Sequence, residues 1–181
     1  MAETENLNYS ERQCFEDFLL YLHRIENNYS TLANHGRFHP GWVRPSNKGA
    51  RRKMVRSSKP VSYDSIAKVV KGKKYNSNEW LGLKWSAPVS LAEVKSQSQA
   101  GIYKIFNSKE MLYCGETKNM TSRLSSHKIN KKFLNSFVSY HLMPGAPAHH
   151  LKEREVDMIG SYFEEFGYGP KFQYRPTGKK K

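Results

Sequence analysis

Apolar residues recur at helical spacing near the start of the chain. Phe15, Phe18, Leu19, Leu22 and Ile25 share one face, which predicts an amphipathic, core-packing helix over about residues 11–28. Ser10 is placed to cap it, and Gln13 completes a capping-box pattern. A second helical pattern runs over 148–166, where Leu151, Met158, Ile159, Tyr162 and Phe166 form one stripe. Between these lie two short segments with strand character. Gly101–Asn107 (GIYKIFN) alternates and is rich in Ile, Tyr and Phe, and Met111–Gly115 (MLYCG) follows a polar turn around 107–109. Together they predict an antiparallel hairpin. A three-residue loop pairs Phe106 with Glu110 and Tyr103 with Tyr113, with both phenols on one face of the sheet. Asn119 then caps a helix running to about Lys128. On it Arg123 and His127 lie at i and i+4 and point the same way, while Met120 and Leu124 hold it to the sheet. One hairpin and one helix thus bring together Tyr103, Tyr113, Arg123 and His127. Elsewhere the pattern is weaker. Residues 1–9 are polar, Asp64–Lys71 reads as a short helix capped near Ser62 or Asp64, Trp80 and Trp85 flank a Gly-containing turn, and Ser90–Lys95 reads as a helical turn.

Charge changes the picture. Thirty Lys+Arg against sixteen Asp+Glu give a net +14 over 181 residues, which points to a polyanionic partner. The excess is concentrated. From Asn27 to Tyr63 there is no acidic residue, and Arg37, Arg44, Lys48, Arg51, Arg52, Lys53, Arg56 and Lys59 all lie there among glycines and prolines. Such a segment buries too little apolar area to fold alone. It reads as an arm that lies along phosphates and orders on contact. Apolar residues make up 38% of the chain, enough for one core. The two cysteines, Cys14 and Cys114, are isolated and form no metal-ligand pattern, so a reducing compartment is expected. With no membrane-length apolar run and no secretion-signal layout, a soluble, intracellular (cytoplasmic) protein is expected.

One carboxylate stands out. On the 148–166 helix Glu155 falls within the apolar stripe, whereas Glu153 and Glu164 are expected on the opposite side. A carboxylate on a buried-side face is costly unless it is paired or bound to a metal.

These residues carry a resemblance. Gly101-Ile102-Tyr103, then Tyr113-Cys114-Gly115, then ETKNMTSRLSSH with its arginine, and finally REVDMIGSYFEEFGYGPKFQ with its glutamate, resemble the GIY-YIG nuclease family. Cys114 stands where the family has Ile, and Gln173 where it usually has Asn. The resemblance covers roughly residues 100–173 and implies an α+β fold, a small, mainly antiparallel three-stranded sheet flanked by helices. It implies divalent-metal-dependent hydrolysis of phosphodiester bonds in double-stranded DNA. By the same resemblance Glu155 would hold Mg²⁺ (with Mn²⁺ as a substitute), Arg123 would grip the scissile phosphate, Tyr103 would act as general base or proton relay, Tyr113 would orient water or phosphate, and His127 would bind phosphate or assist proton transfer. Lys104 and Lys118 flank the site and are expected to contact phosphate. Gly101 and Gly115 are expected to leave space for DNA to approach. His149 and His150 read as cap or DNA-facing residues.

The expected organisation is a helix plus basic arm over 1–95 as a DNA-binding extension, a catalytic domain over 96–176 and a basic tail over 177–181. Arg44, Lys48, Arg51, Arg52, Lys53 and Arg56 are its DNA-binding candidates. Compact size and the absence of a zinc finger favour a restriction-type endonuclease, with a homodimer on DNA as the arrangement for cutting both strands. The alternatives are a DNA-binding module of the same fold without cleavage, a basic RNA-binding protein, and a repair or mobile-element nuclease.

Overall fold

The structure, a computed structural model, describes residues 6–31 and 73–174. The basic arm, with Arg37, Arg44, Lys48, Arg51, Arg52, Lys53, Arg56 and Lys59, and the expected helix at Asp64–Lys71 lie outside the described residues.

Helix α1 spans Tyr9–Asn27. Its cap is Asn8, two residues before the expected Ser10. The Asn8 side chain accepts from Glu11 N at 3.0 Å, and Glu11 Oε2 accepts from Asn8 N at 2.7 Å. Asn8 with Glu11 supplies the same reciprocal bonds as Ser10 with Gln13, but with a carboxylate, which bonds N–H more strongly and favours the positive helix end. The helix stops at Asn28 in the left-handed region, φ 60°.

Four strands form one sheet among the described residues: β1 (Val89–Ser90), β2 (Gly101–Phe106), β3 (Met111–Thr117) and β4 (Phe137–Leu142). Their order is β1-β4-β2-β3 and every pairing is antiparallel. Helices α2 (Met120–Lys128) and α3 (Ala148–Phe166) complete the fold, which is α+β as expected. The sheet has one strand more than the three expected, because a two-residue strand has no periodicity to read. Both α1 and β1 precede residue 96, so residues assigned to the extension supply a helix and a strand to this unit.

The hairpin register also differs from the expected one. Tyr103 lies opposite Gly115 and Ile105 opposite Tyr113, and the register shifts between Ile105 and Phe106, where Phe106 meets Met111. Asn107 explains the slip. Its side chain accepts from the backbone N–H groups of Lys109 and Glu110, and its own N–H reaches Glu110 O at 3.1 Å, so a longer Asx-type turn replaces the three-residue loop. The phenols are therefore diagonal neighbours. They still share a face, with ring centroids 6.1 Å apart.

Both faces of the sheet are covered, and all six residues of β2 are buried. One face packs Tyr103, Ile105 and Leu112 against Met120 and Leu124 of α2. The other packs Ile102, Phe106 and Cys114 against Met158, Ile159 and Tyr162 of α3. Alternation puts Lys104 on that second face. It is fully buried, donates from Nζ to Ser77 O at 2.8 Å, and lies 4.3 Å from the Trp85 ring centroid. The expected phosphate contact of Lys104 is thus corrected: the residue anchors the segment carrying Trp80 and Trp85 over the sheet. Desolvation pushes its pKa down to about 7, while the indole faces and the carbonyl favour the cation.

Candidate active site

Strand β2 presents Tyr103, and α2 presents Arg123 and His127 to the same spot. Asn119 sets this geometry by capping α2, its side chain accepting from Ser122 N at 3.0 Å. Arg123 Nε donates to the Tyr103 oxygen at 2.9 Å, and Tyr103 Oη lies 2.9 Å from His127 Nε2. Because a guanidinium can only donate, the tyrosine oxygen accepts there, and its own O–H can serve His127 when Nε2 is the unprotonated ring nitrogen. Burial, followed by the charge of Arg123, lowers the His127 pKa to about 4, so the ring is neutral at neutral pH and suited to accept. Burial first, and then Tyr113, raise the Tyr103 pKa well above the usual phenol value, against the pull of Arg123. Tyr113 leans on the same histidine, with ring centroids 5.3 Å apart, and Phe133 closes the cluster edge-on at 5.0 Å.

Glu155 reaches this group from α3. The residue is half-buried, and its negative charge acts on Tyr103, Tyr113 and Arg123 alike. Burial, with Glu116 as the second cause, raises its pKa to about 7. Such a carboxylate gains from any cation placed beside it. Glu116 itself accepts from Lys152 Nζ at 3.3 Å, one helical turn before Glu155. The described residues contain no group of three or more His, Cys, Asp or Glu able to hold a metal. A single carboxylate suits Mg²⁺, which keeps most of its waters and takes substrate oxygens.

Other expected residues fall as follows. Lys118 is exposed in the turn between β3 and α2. His149 and His150 occupy the first turn of α3, with their rings against each other at 4.2 Å. Gly101 and Gly115 are buried inside the sheet, so the space they leave is filled by the chain itself and not by DNA. At Gly101 an added Cβ runs into the backbone of His141. At Gly115 it lies 2.6 Å from Tyr103 Oη and 2.9 Å from Tyr113 Cε1. Gly115→Ala therefore displaces the tyrosine on which Arg123 and His127 converge. It should lower the plasmid-cleavage rate by about 100-fold, at a cost of about 1–3 kcal/mol in thermal or urea unfolding. Glu153 departs from its expected solvent side: it is buried and paired with Arg24 of α1 at 3.0 Å.

Glu116, Lys152 and Phe133 were not singled out from the sequence. Glu116 follows Gly115 directly and Lys152 precedes Glu155 by three, spacings that carried a signal once the two segments were placed together. Gln173 has a clear role. Its amide oxygen accepts from Cys114 N at 3.1 Å and its Nε2 donates to Cys114 O at 3.0 Å, so the side chain pairs with β3 as a neighbouring strand would.

No curated protein and no solved structure matches the chain. Residues 99–168 match the family model described as the GIY-YIG catalytic domain. That span contains Tyr103, Tyr113, Arg123, His127 and Glu155, and the chain carries a GIY-YIG catalytic domain.

Proposed function

We propose that the protein is a divalent-metal-dependent endonuclease that hydrolyses phosphodiester bonds in double-stranded DNA with restriction-type sequence specificity. A GIY-YIG catalytic domain implies a nuclease acting on DNA. The observation that carries the mechanism is the Tyr103 oxygen held between Arg123 Nε and His127 Nε2.

In this reading Arg123 binds a non-bridging oxygen of the scissile phosphate and stabilises the charge that develops there. A water at the Tyr103 oxygen attacks phosphorus. Its proton passes to Tyr103 Oη as the tyrosine's own proton passes to His127 Nε2, so no free phenolate is needed. Phosphate bound at Arg123 offsets the positive charge that opposes protonation of His127. The P–O bond opposite the attacking water breaks, and the departing oxygen takes a proton from solvent. Tyr113 orients the water or a phosphate oxygen. A divalent cation held by Glu155 supplies charge neutralisation on the phosphate and the leaving oxygen, with Mg²⁺ the expected ion and Mn²⁺ a substitute. Lys118 and the arm residues Arg44, Lys48, Arg51, Arg52, Lys53 and Arg56 supply non-specific grip on the backbone. A homodimer places one such site on each strand.

The test is direct. Supercoiled plasmids and phage DNA of mixed sequence are incubated with protein and Mg²⁺, with EDTA in parallel. Discrete fragments with Mg²⁺ alone, whose sequenced ends share one motif, are the expected result. Random nicking removes the restriction-type specificity. Intact DNA in every tube, with binding retained, removes the nuclease reading in favour of a DNA-binding module.

A further inference from the structure

Helix α2 ends one residue after the site histidine, and the chain then turns outward. Residues 128–136 read KINKKFLNS. Ile129 is 85% exposed and Leu134 76%, an unusual placement for two large aliphatic side chains five positions apart. The loop holding them is well braced. Asn130 N donates to His127 O at 3.0 Å, the Asn130 side chain accepts from Lys132 N at 3.1 Å, and Ser136 Oγ donates to Phe133 O at 2.6 Å. Phe133 is buried and stands edge-on to the His127 ring, with Tyr113 6.0 Å away. The loop therefore has one apolar residue driven into the catalytic aromatic cluster and one aliphatic residue held in water on either side of it.

The rim of this apolar pair is cationic. Lys128, Lys131 and Lys132 lie in the same loop, and no Asp or Glu occurs between Glu116 and Glu153. Lys128 Nζ is tied to Val94 O at 2.9 Å, and Lys132 Nζ sits 5.3 Å from the Phe172 centroid, so part of this charge is held at fixed points. Aliphatic side chains rimmed by lysines match the two layers of a nucleic acid duplex: phosphates outside, stacked bases within. Side chains of this kind enter base steps and unstack them. We propose that Ile129 and Leu134 form a wedge that enters the base stack of duplex DNA next to the phosphate engaged by Arg123, opening a step and kinking the helix there. This rests on the DNA-cleavage reading above and extends it with a bending device in the α2–β4 loop.

The experiment uses the full-length chain, its I129S/L134S variant and relaxed closed-circular plasmid, in EDTA with a topoisomerase that needs no metal. Under these conditions cleavage is blocked and helix unwinding is read as a change in linking number. Wild type should shift the topoisomer distribution in proportion to protein bound. The variant should still bind the plasmid, because the lysines that grip phosphate are kept, and at equal protein bound it should leave the distribution at its protein-free position. Unchanged thermal melting of the variant confirms that the fold is intact. Equal shifts from both proteins, or a wild type that binds without any shift, overturn the wedge. If light scattering shows a wild-type dimer that the substitutions dissociate while the topoisomer shift persists, the patch belongs to a second copy of the chain and the wedge is again overturned. A wild type that cuts DNA with Mg²⁺ but shifts nothing removes the wedge alone. One that shifts topoisomers but cuts nothing removes the nuclease reading alone.

Discussion

Glu155→Gln abolishes cleavage, by about a thousandfold or more in single-turnover rate, while DNA binding in EDTA stays close to wild type. The substitution keeps size and hydrogen-bonding capacity and deletes one negative charge. That charge is the feature shared by Tyr103, Tyr113 and Arg123, each of which responds to it. Two further readouts separate a metal-holding role from a merely structural one. Mg²⁺ added without DNA should raise the melting temperature of wild type and leave the variant unmoved. The pH dependence of stability should differ as well. The folded-state pKa of Glu155 is about 7, against an ordinary value of 4.5. Between those values the folded chain holds more protons than the unfolded chain, so stability falls as pH rises through that window. The glutamine variant lacks this loss and should melt more evenly between about pH 5 and about pH 8. A variant that retains cleavage, or a wild type whose melting ignores Mg²⁺, removes Glu155 from the site.

The second large effect lies outside the matched span. Arg24→Ala should destabilise the fold by about 3–5 kcal/mol, roughly 6–20 °C in melting temperature for a chain of this size. Arg24 is buried between α1 and α3. It donates from Nε to Asp157 Oδ1 at 2.7 Å and from Nη2 to Oδ2 at 3.1 Å, and it pairs with Glu153 at 3.0 Å. Ser30 adds a bond from its hydroxyl to Glu153 at 2.6 Å. Burial raises the pKa of Glu153 even against the pull of Arg24, a sign of how strongly this layer is desolvated. Removing the cation leaves two carboxylates buried without it, and that is the source of the loss. An apolar replacement of the whole cluster, Arg24→Met with Glu153→Leu and Asp157→Leu, should recover most of the stability in urea or thermal unfolding. If Arg24→Ala alone melts within a degree or two of wild type, the cluster is not a structural tie. Glu153 and Asp157 flank Glu155 by two residues on either side, so this clamp also sets the rotation at which α3 offers Glu155 to the sheet.

These two residues mark the boundary between what local pattern carried and what it did not. The order and type of helices α1, α2 and α3 and of the β2–β3 hairpin were legible in the chain because each rests on local physics, whereas β4 was not read from it. The 3.6-residue stripe of α3 matched its observed Ala148–Phe166 span, Asn119 capped α2 as expected, and alternation marked β2 and β3. The convergence of Tyr103, Arg123 and His127 followed from a hairpin leading into a short capped helix, contacts separated by at most 24 residues. By contrast, the side of α3 on which Glu153 falls could not be read. A helical stripe assumes one buried face, and α3 has two, one against the sheet and one against α1. Lys104 was misplaced for the related reason that a central strand covered on both sides buries its polar alternates too. The register slip at Asn107 came from a side chain choosing the turn.

By itself, then, the sequence determined helices α1, α2 and α3, the β2–β3 hairpin and the aromatic–arginine–histidine grouping, because periodicity, capping and short-range connection are properties of neighbouring residues. Tertiary structure alone decided that α1 is clamped to α3 through Arg24, that Lys104 is an internal anchor, that Glu116 and Lys152 surround Glu155, and that Ile129 and Leu134 stand in solvent beside the site. Each of these depends on which distant surface covers a given face, and that is settled only when the whole chain competes for the same apolar area.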